Sequence, residues 1–256
     1  MYSPERMKWW VDRSREPEHQ KAYDRVASQI MPTGDSVIVD FCCGNGELLK
    51  RIYTKYMEKA KRRNYQNPPL LIGADISQNM LELARKNLQE AGAKPIVIKD
   101  GAEATRHKGV VLVEDDITDS RIPAEISDVS FLTFPQLKIK MHENPLVAGF
   151  VEENPNMDVI GLRFLIEMYS LSRITKKGRH SIIADYDTFD GKDSVHDQDG
   201  LRQQAELGMR FNLRFIRAQF FRSLEVMADV EEEVLRNRRL PGRELGYRIY
   251  MFKKNN

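Results

Sequence analysis

Four features of this chain have the types and spacing to do chemistry together: Asp40, Gly44, Gly46 and Asp75. The two glycines follow the apolar run Val37-Ile38-Val39 and its continuation Asp40-Phe41. Glycine lets a ligand approach the backbone closely and tolerates left-handed φ. The helical pattern that begins after them, through Glu47, Leu48, Leu49 and Ile52, offers the free N–H groups of a helix start. A turn of this kind can hold several nucleotides. The dinucleotide fingerprint wants a third glycine, and that position is Leu49. A P-loop wants G-K-[ST], and no lysine follows Gly46 directly. A carboxylate at Asp40 is awkward beside a pyrophosphate but suits a ligand carrying positive charge.

These side chains must be carried by strands and helices in a definite order. Val37 to Phe41 reads as a strand buried on both faces, the habit of parallel sheets. Leu70-Leu71-Ile72-Gly73-Ala74-Asp75 repeats the pattern, and Ser77 is a natural N-cap for a helix through Met80, Leu81, Ala84 and Leu88. In a doubly wound sheet the carboxyl ends of neighbouring strands converge on one crevice. Asp75 is therefore expected beside the Gly44/Gly46 turn, where a carboxylate can accept the hydroxyls of a ribose.

The segment from Asp40 to Gly46 resembles the first motif of class I S-adenosylmethionine-dependent methyltransferases, an acidic residue followed by small residues and G-x-G. One departure is visible: Cys42 stands where the family has its first glycine. The resemblance implies S-adenosyl-L-methionine as cofactor. Asp40 would favour its positive end, the backbone at Cys42, Gly44 and Phe131 would hold the methionine moiety, and Asp75 would take the ribose. Asp116, with Asp115 as competitor, would meet the adenine amino group, and Ile76 and Ile117 would cover the two faces of the ring. It implies an α/β fold, a three-layer Rossmann-like arrangement around a seven-stranded, mostly parallel sheet of order 3-2-1-4-5-7-6.

Strand candidates follow at 110–113, with an extra β-like segment at 95–98, at 126–135 (the fourth strand and its exit loop) and at 181–186. The tail is read as strands around Phe211–Ile216 and Tyr247–Met251, with a charged helix from Val226 to Arg239 between them. A single domain is expected over 1–256: a helical lid at 1–35 and an α/β core at 36–256 with insertions around 95–109, 136–156 and 186–208. In the lid, Trp9, Trp10 and Tyr23 would cover the cofactor and shape the substrate pocket together with Phe134 of the fourth strand's exit.

Composition narrows the acceptor. The 256 residues carry 40 basic and 38 acidic side chains, so no global field favours nucleic acid or an anionic membrane. Phe131-Leu132-Thr133-Phe134-Pro135 replaces the N/D-P-P-Y/F run of amino-methyltransferases acting on bases, and a Pro-Cys nucleophile is absent. No apolar run approaches the ~20 residues that span a bilayer, and the charged N-terminus does not read as a signal peptide. Cys42 and Cys43 are the only cysteines, which fits a reducing, cytoplasmic setting. They read as small turn-lining residues. Six aspartates accumulate between Asp185 and Asp199, a solvated loop or a wall for a cationic substrate; the spacing of a calcium loop is missing, so no metal is expected.

The expected activity is methyl transfer from S-adenosylmethionine to an O or N of a small-molecule acceptor, with His142, His196 and Tyr186 as general-base candidates. A homodimer is compatible with this reading. The alternatives are an RNA or protein methyltransferase docking through the basic segments 55–63 and 236–243, and a non-catalytic scaffold that keeps the fold.

Overall fold

The computed structural model describes residues 4–63, 67–133, 170–188, 227–240 and 243–254. Two helices lead, α1 (Pro4–Ser14) and α2 (Pro17–Ser28), then β1 (Val37–Phe41), α3 (Glu47–Arg63), β2 (Leu70–Asp75) and α4 (Gln78–Glu90). The strands β3 (Ile96–Ile98), β4 (Val110–Glu114), β5 (Ser127–Thr133), β6 (Thr175–Thr188), β7 (Met227–Leu240) and β8 (Arg243–Lys254) complete the sheet. Its order is β3-β4-β2-β1-β5-β6-β8-β7. The first six run parallel to one another, and β8 and β7 close the far side antiparallel.

Each central strand is buried on both faces, so its alternate residues feed two separate cores. Val39, Phe41, Ile72, Val111, Val113, Leu132 and Ile183 face one way, toward Ala104, Ile117, Ile122 and Leu171. Ile38, Leu71, Leu112, Phe131 and Ile182 face the other, toward α2, α3 and α4. This is the predicted three-layer, Rossmann-like architecture. Gly73 sets how closely α3 can approach, since a Cβ there would lie 2.6 Å from Leu49 Cδ1 and 2.9 Å from Leu112 Cδ2.

Three expectations change. The seven-stranded order gains an eighth strand, because the extra β-like segment at Ile96–Ile98 joins the sheet edge in parallel with β4. The 3₁₀ segment Gly101–Arg106 lies between the two strands and lets the chain cross over to a parallel partner. The tail segment expected as a helix, Val226 to Arg239, is from Met227 onward strand β7, paired with β8 along its length. Its Glu- and Arg-rich composition favours a helix locally, but the ladder with β8 overrides that preference. Charges are also what an outer strand wants, since they discourage edge-to-edge pairing.

The predicted helical lid at 1–35 divides. Ala22, Val26, Ala27 and Ile30 are buried in the core with α3, so α2 belongs to the body. Lys55 of α3 donates to the carbonyls of Ala27, Ser28 and Ile30, closing the end of α2. Among the described residues, α1 contributes no side chain to either core. The predicted strand at Phe211–Ile216 and the insertion at 136–156 lie outside the described residues, as does the 186–208 insertion beyond Thr188. No described helix is long and apolar enough to cross a membrane.

Candidate functional site

The turn after β1 contains three left-handed residues, Cys42 (φ 54°), Gly44 (φ 54°) and Gly46 (φ 75°). For a residue with a Cβ this conformation costs about 1–2 kcal/mol, so Cys42 holds a backbone shape made for the glycine of the resembled motif. Cys42 packs against one core and Cys43 lies in the other, which sends their side chains to opposite faces of the sheet. Burial, then the nearby Asp75, pushes the Cys43 thiol well above its usual range. Neither fact favours a thiolate nucleophile, and both fit turn-lining residues.

Asp40 lies in register with Gly73 of β2 and Phe131 of β5, in a row continued by Leu112 and Ile182. Its side chain is 0 % exposed, and neither carboxylate oxygen has a hydrogen-bond partner. Burial raises its pKa well above the ordinary carboxylate range, and Asp75 raises it further. A buried acid without partners is costly. A cation placed at the turn relieves that cost, whereas an anion adds to it.

The sign of the pH dependence follows. Because the folded, unliganded protein holds the Asp40 proton more tightly than the unfolded chain does, stability is full below the unfolded pKa of about 3.9 and falls as pH rises toward the folded value. A cationic ligand prefers the ionised acid, so its affinity should rise with pH across the same window. Asp40→Asn is expected to flatten the affinity profile and part of the stability profile, since burial also raises Asp75 and Asp115. Melting temperature and calorimetric affinity from pH 4 to 8 check this, and an unchanged slope in the variant refutes it.

Asp75 ends β2 and is almost fully buried. Its Oδ2 accepts from Gly44 N–H and its Oδ1 from Ser77 N–H, each at 2.9 Å. Burial raises its pKa and these two bonds partly offset the rise. Each oxygen keeps a second lone pair for a ligand hydroxyl. Ser77 caps α4 as expected, accepting from Met80 N–H. Ile76, next in line, is 60 % exposed at the carboxyl end of the sheet, an apolar side chain left open for a ring.

Asp116 begins a 3₁₀ turn, Ile117–Asp119, and its Oδ1 accepts from the backbone N–H and the hydroxyl of Thr118. Asp115 is held by its own loop, by the Ser120 hydroxyl and the Arg121 N–H. Asp116 is thus the less encumbered of the two competitors. Ile117 does not match its expected role: at 4 % exposure it packs in the core with Ala104 and Ile122. Phe131 is buried inside the sheet, two residues short of the strand's end at Thr133. Only its backbone row, level with Asp40, bears on the turn.

Trp9 and Trp10 are half-buried on α1, edge to face with centroids 4.6 Å apart, and the Arg13 guanidinium lies over Trp9. Tyr23 is on α2 under the Arg51 guanidinium, part of the body packing. What joins α1 to the turn is a contact with no local signal in the chain: Asn45 Nδ2 donates to Ser14 Oγ at 2.9 Å, both buried. Tyr186 lies on β6 two residues past Ala184, which pairs with Thr133, so its backbone is at the carboxyl end of the sheet. His142, His196 and Phe134 lie outside the described residues. No group of three metal-ligating side chains occurs among the described residues.

A parallel sheet whose first strand ends in a buried acid and a G-x-G turn, with a second acid on the next strand, defines the class. The chain has the fold of class I S-adenosylmethionine-dependent methyltransferases and carries residues that match their first motif. More narrowly, residues 19–122, from α2 to the segment after β4, match a methyltransferase family model described as an AprA MT2-like domain. No curated protein matches the sequence. Among solved structures, a phosphoethanolamine N-methyltransferase 2 of Haemonchus contortus superposes with TM-score 0.52 at 13% identity, over 93% of this chain and 52% of that one. This chain therefore spans about half the length of the Haemonchus protein, whose structures hold S-adenosylhomocysteine or S-adenosyl-L-methionine. The N-methyltransferase NodS of Bradyrhizobium japonicum gives 0.51 at 9% identity, over 95% and 99% of the two chains. A geranyl diphosphate methyltransferase gives 0.51 at 10%, over 91% and 77%. At such identities the likeness is one of fold. The orphaned Asp40 carboxylate, the glycine turn and Asp75 fit S-adenosyl-L-methionine, the cofactor of the class.

Proposed function

We propose that this protein transfers a methyl group from S-adenosyl-L-methionine to an oxygen or nitrogen of a small-molecule acceptor. The observation that carries the reading is the buried, unpartnered carboxylate of Asp40 beside a turn of left-handed residues, with Asp75 bonded to that turn. When bound, the cofactor supplies an already activated methyl on a positively charged sulfur. The chain's own residues then have to bind and orient. Asp40 offers negative charge to the cofactor's cationic end. Asp75 offers acceptors to the ribose hydroxyls, Ile76 covers one face of the adenine, and Asp116 is placed to accept from its amino group.

Rate in such a transfer comes mainly from holding the acceptor in line with the breaking bond. The acceptor would enter over the carboxyl ends of β5 and β6, where Tyr186 is a candidate to take a proton; His142 and His196 are the other candidates for that role. A small acceptor is supported by the balanced charge, by the missing base-methylation motifs and by the structural neighbours. One of those was solved with phosphomonomethylethanolamine and another with geranyl diphosphate. Calorimetry with S-adenosylmethionine, followed by methyl transfer to a library of amines, alcohols and phosphorylated amines, tests the proposal. No binding at millimolar cofactor sinks it; methylation of RNA or protein alone replaces the acceptor class.

A further inference from the structure

The glycine turn is supported from outside by one face of α4. Met80, Ala84 and Asn87 recur on that face at helical spacing and meet the turn residue by residue. A Cβ on Gly44 would touch Met80 Cε at 3.6 Å. A Cβ on Gly46 would lie 3.0 Å from Ala84 Cβ and 3.3 Å from Ala84 Cα. Between these two glycines, Asn87 Nδ2 donates to the Asn45 carbonyl at 3.1 Å. The same peptide unit is held from its other end, since Gly46 N–H donates to the Cys43 carbonyl at 2.8 Å.

Asn87 is itself locked. Its second N–H donates to Glu47 Oε1 at 2.9 Å, and its Oδ1 accepts from Lys50 Nζ at 2.6 Å. Reversing the amide would set its NH₂ against the lysine ammonium and its oxygen against a carbonyl and a carboxylate, so only one orientation is satisfied. Glu47 is held in turn by Arg51, whose guanidinium reaches Asp24 and Gln20 of α2. The orientation of one peptide in the turn thus depends on an amide from a helix forty residues further along the chain.

We infer that Asn87 is a positioning residue for the cofactor turn, setting the direction of the Asn45–Gly46 peptide against which the methionine end of the cofactor is laid. This rests on the reading of the turn as the S-adenosylmethionine site. Asn87 touches no reacting atom; it acts through Asn45. Its other contacts, to Glu47 and Lys50, serve to aim it.

The test uses the full chain. Asn87→Ala is expected to weaken S-adenosylhomocysteine binding about tenfold by calorimetry, the loss of one well-placed hydrogen bond to a preorganised site. Without ligand, amide exchange should speed up at residues 44–48 and stay unchanged in β4 and β5, a pattern that general loosening of α4 would not give. Lys50→Met, which removes the contact that aims the amide along with an ion pair to the exposed Glu90 at 3.7 Å, should shift both readouts the same way by a smaller factor, and it decides the matter if Asn87→Ala fails to fold; Glu90→Gln, which removes the ion pair alone, should shift neither. Arg85→Ala, on the outer face of α4, should leave both unchanged. Affinity within twofold of wild type together with unchanged exchange at 44–48 would overturn the assignment. Absence of binding by the wild-type protein would instead overturn the methyltransferase reading, while the exchange measurement still decides whether Asn87 orders the turn.

Discussion

Asp75→Ala is expected to weaken S-adenosylmethionine by about 2 kcal/mol or more, roughly 30-fold, the usual loss when charge-assisted hydrogen bonds are removed. Two effects add. The ribose loses its acceptor, and the N–H groups of Gly44 and Ser77, both bonded to this carboxylate, lose theirs. The second effect loosens the turn and uncaps the approach to α4, so a modest fall in melting temperature accompanies the loss of affinity. S-adenosylhomocysteine should suffer equally, because the ribose is common to both ligands and the sulfonium charge is not involved. Paired titrations by calorimetry, with circular dichroism to confirm folding, make the measurement. Unchanged affinity in a folded variant would remove Asp75 from the site.

Gly46→Val is expected to be more damaging to the fold than to any single contact with cofactor. The left-handed φ of 75° costs a β-branched residue about 1–2 kcal/mol. The new side chain also meets Ala84 at its Cβ and Cα, atoms of a helix that cannot rotate aside. Overpacking of that kind costs about 1–3 kcal/mol. A total of roughly 3 kcal/mol corresponds to a fall in melting temperature of about 6–12 °C for a chain of this size. Gly92→Ala is the control: its φ of 83° is also left-handed, but nothing lies within 4 Å of the added Cβ, so the strain appears without the clash. Equal effects at the two positions would show that packing against α4 contributes nothing.

The elements read most reliably from the chain were those whose local pattern and tertiary role agree. Val37 to Phe41 and Leu70 to Asp75 are β-branched or apolar throughout and lie buried on both faces, so pattern and burial point the same way. The Ser77 cap and the apolar stripe of α4 are equally local. Where the two levels conflict, the chain misleads. Met227 to Leu240 looks helical by composition yet is a strand, because its partner β8 supplies a ladder that no residue within the segment reveals. Ile117 follows Asp116 as the family pattern has it, but the 3₁₀ turn begun by Asp116 rotates it into the core.

Alone, the sequence determined the strand–turn–helix of the candidate cofactor site, the acid at or next to the end of each of two strands, and the class of cofactor they suit. Each of these depends on residue types at short separations, where backbone preference and hydrophobic period act directly. Only the tertiary structure decided that Asp40 is wholly buried without a partner, that Asn45 ties the turn to Ser14, and that Asn87 aims its peptide. Those contacts join positions far apart in the chain, and their geometry exists only once the sheet has brought α1 and α4 to the same turn.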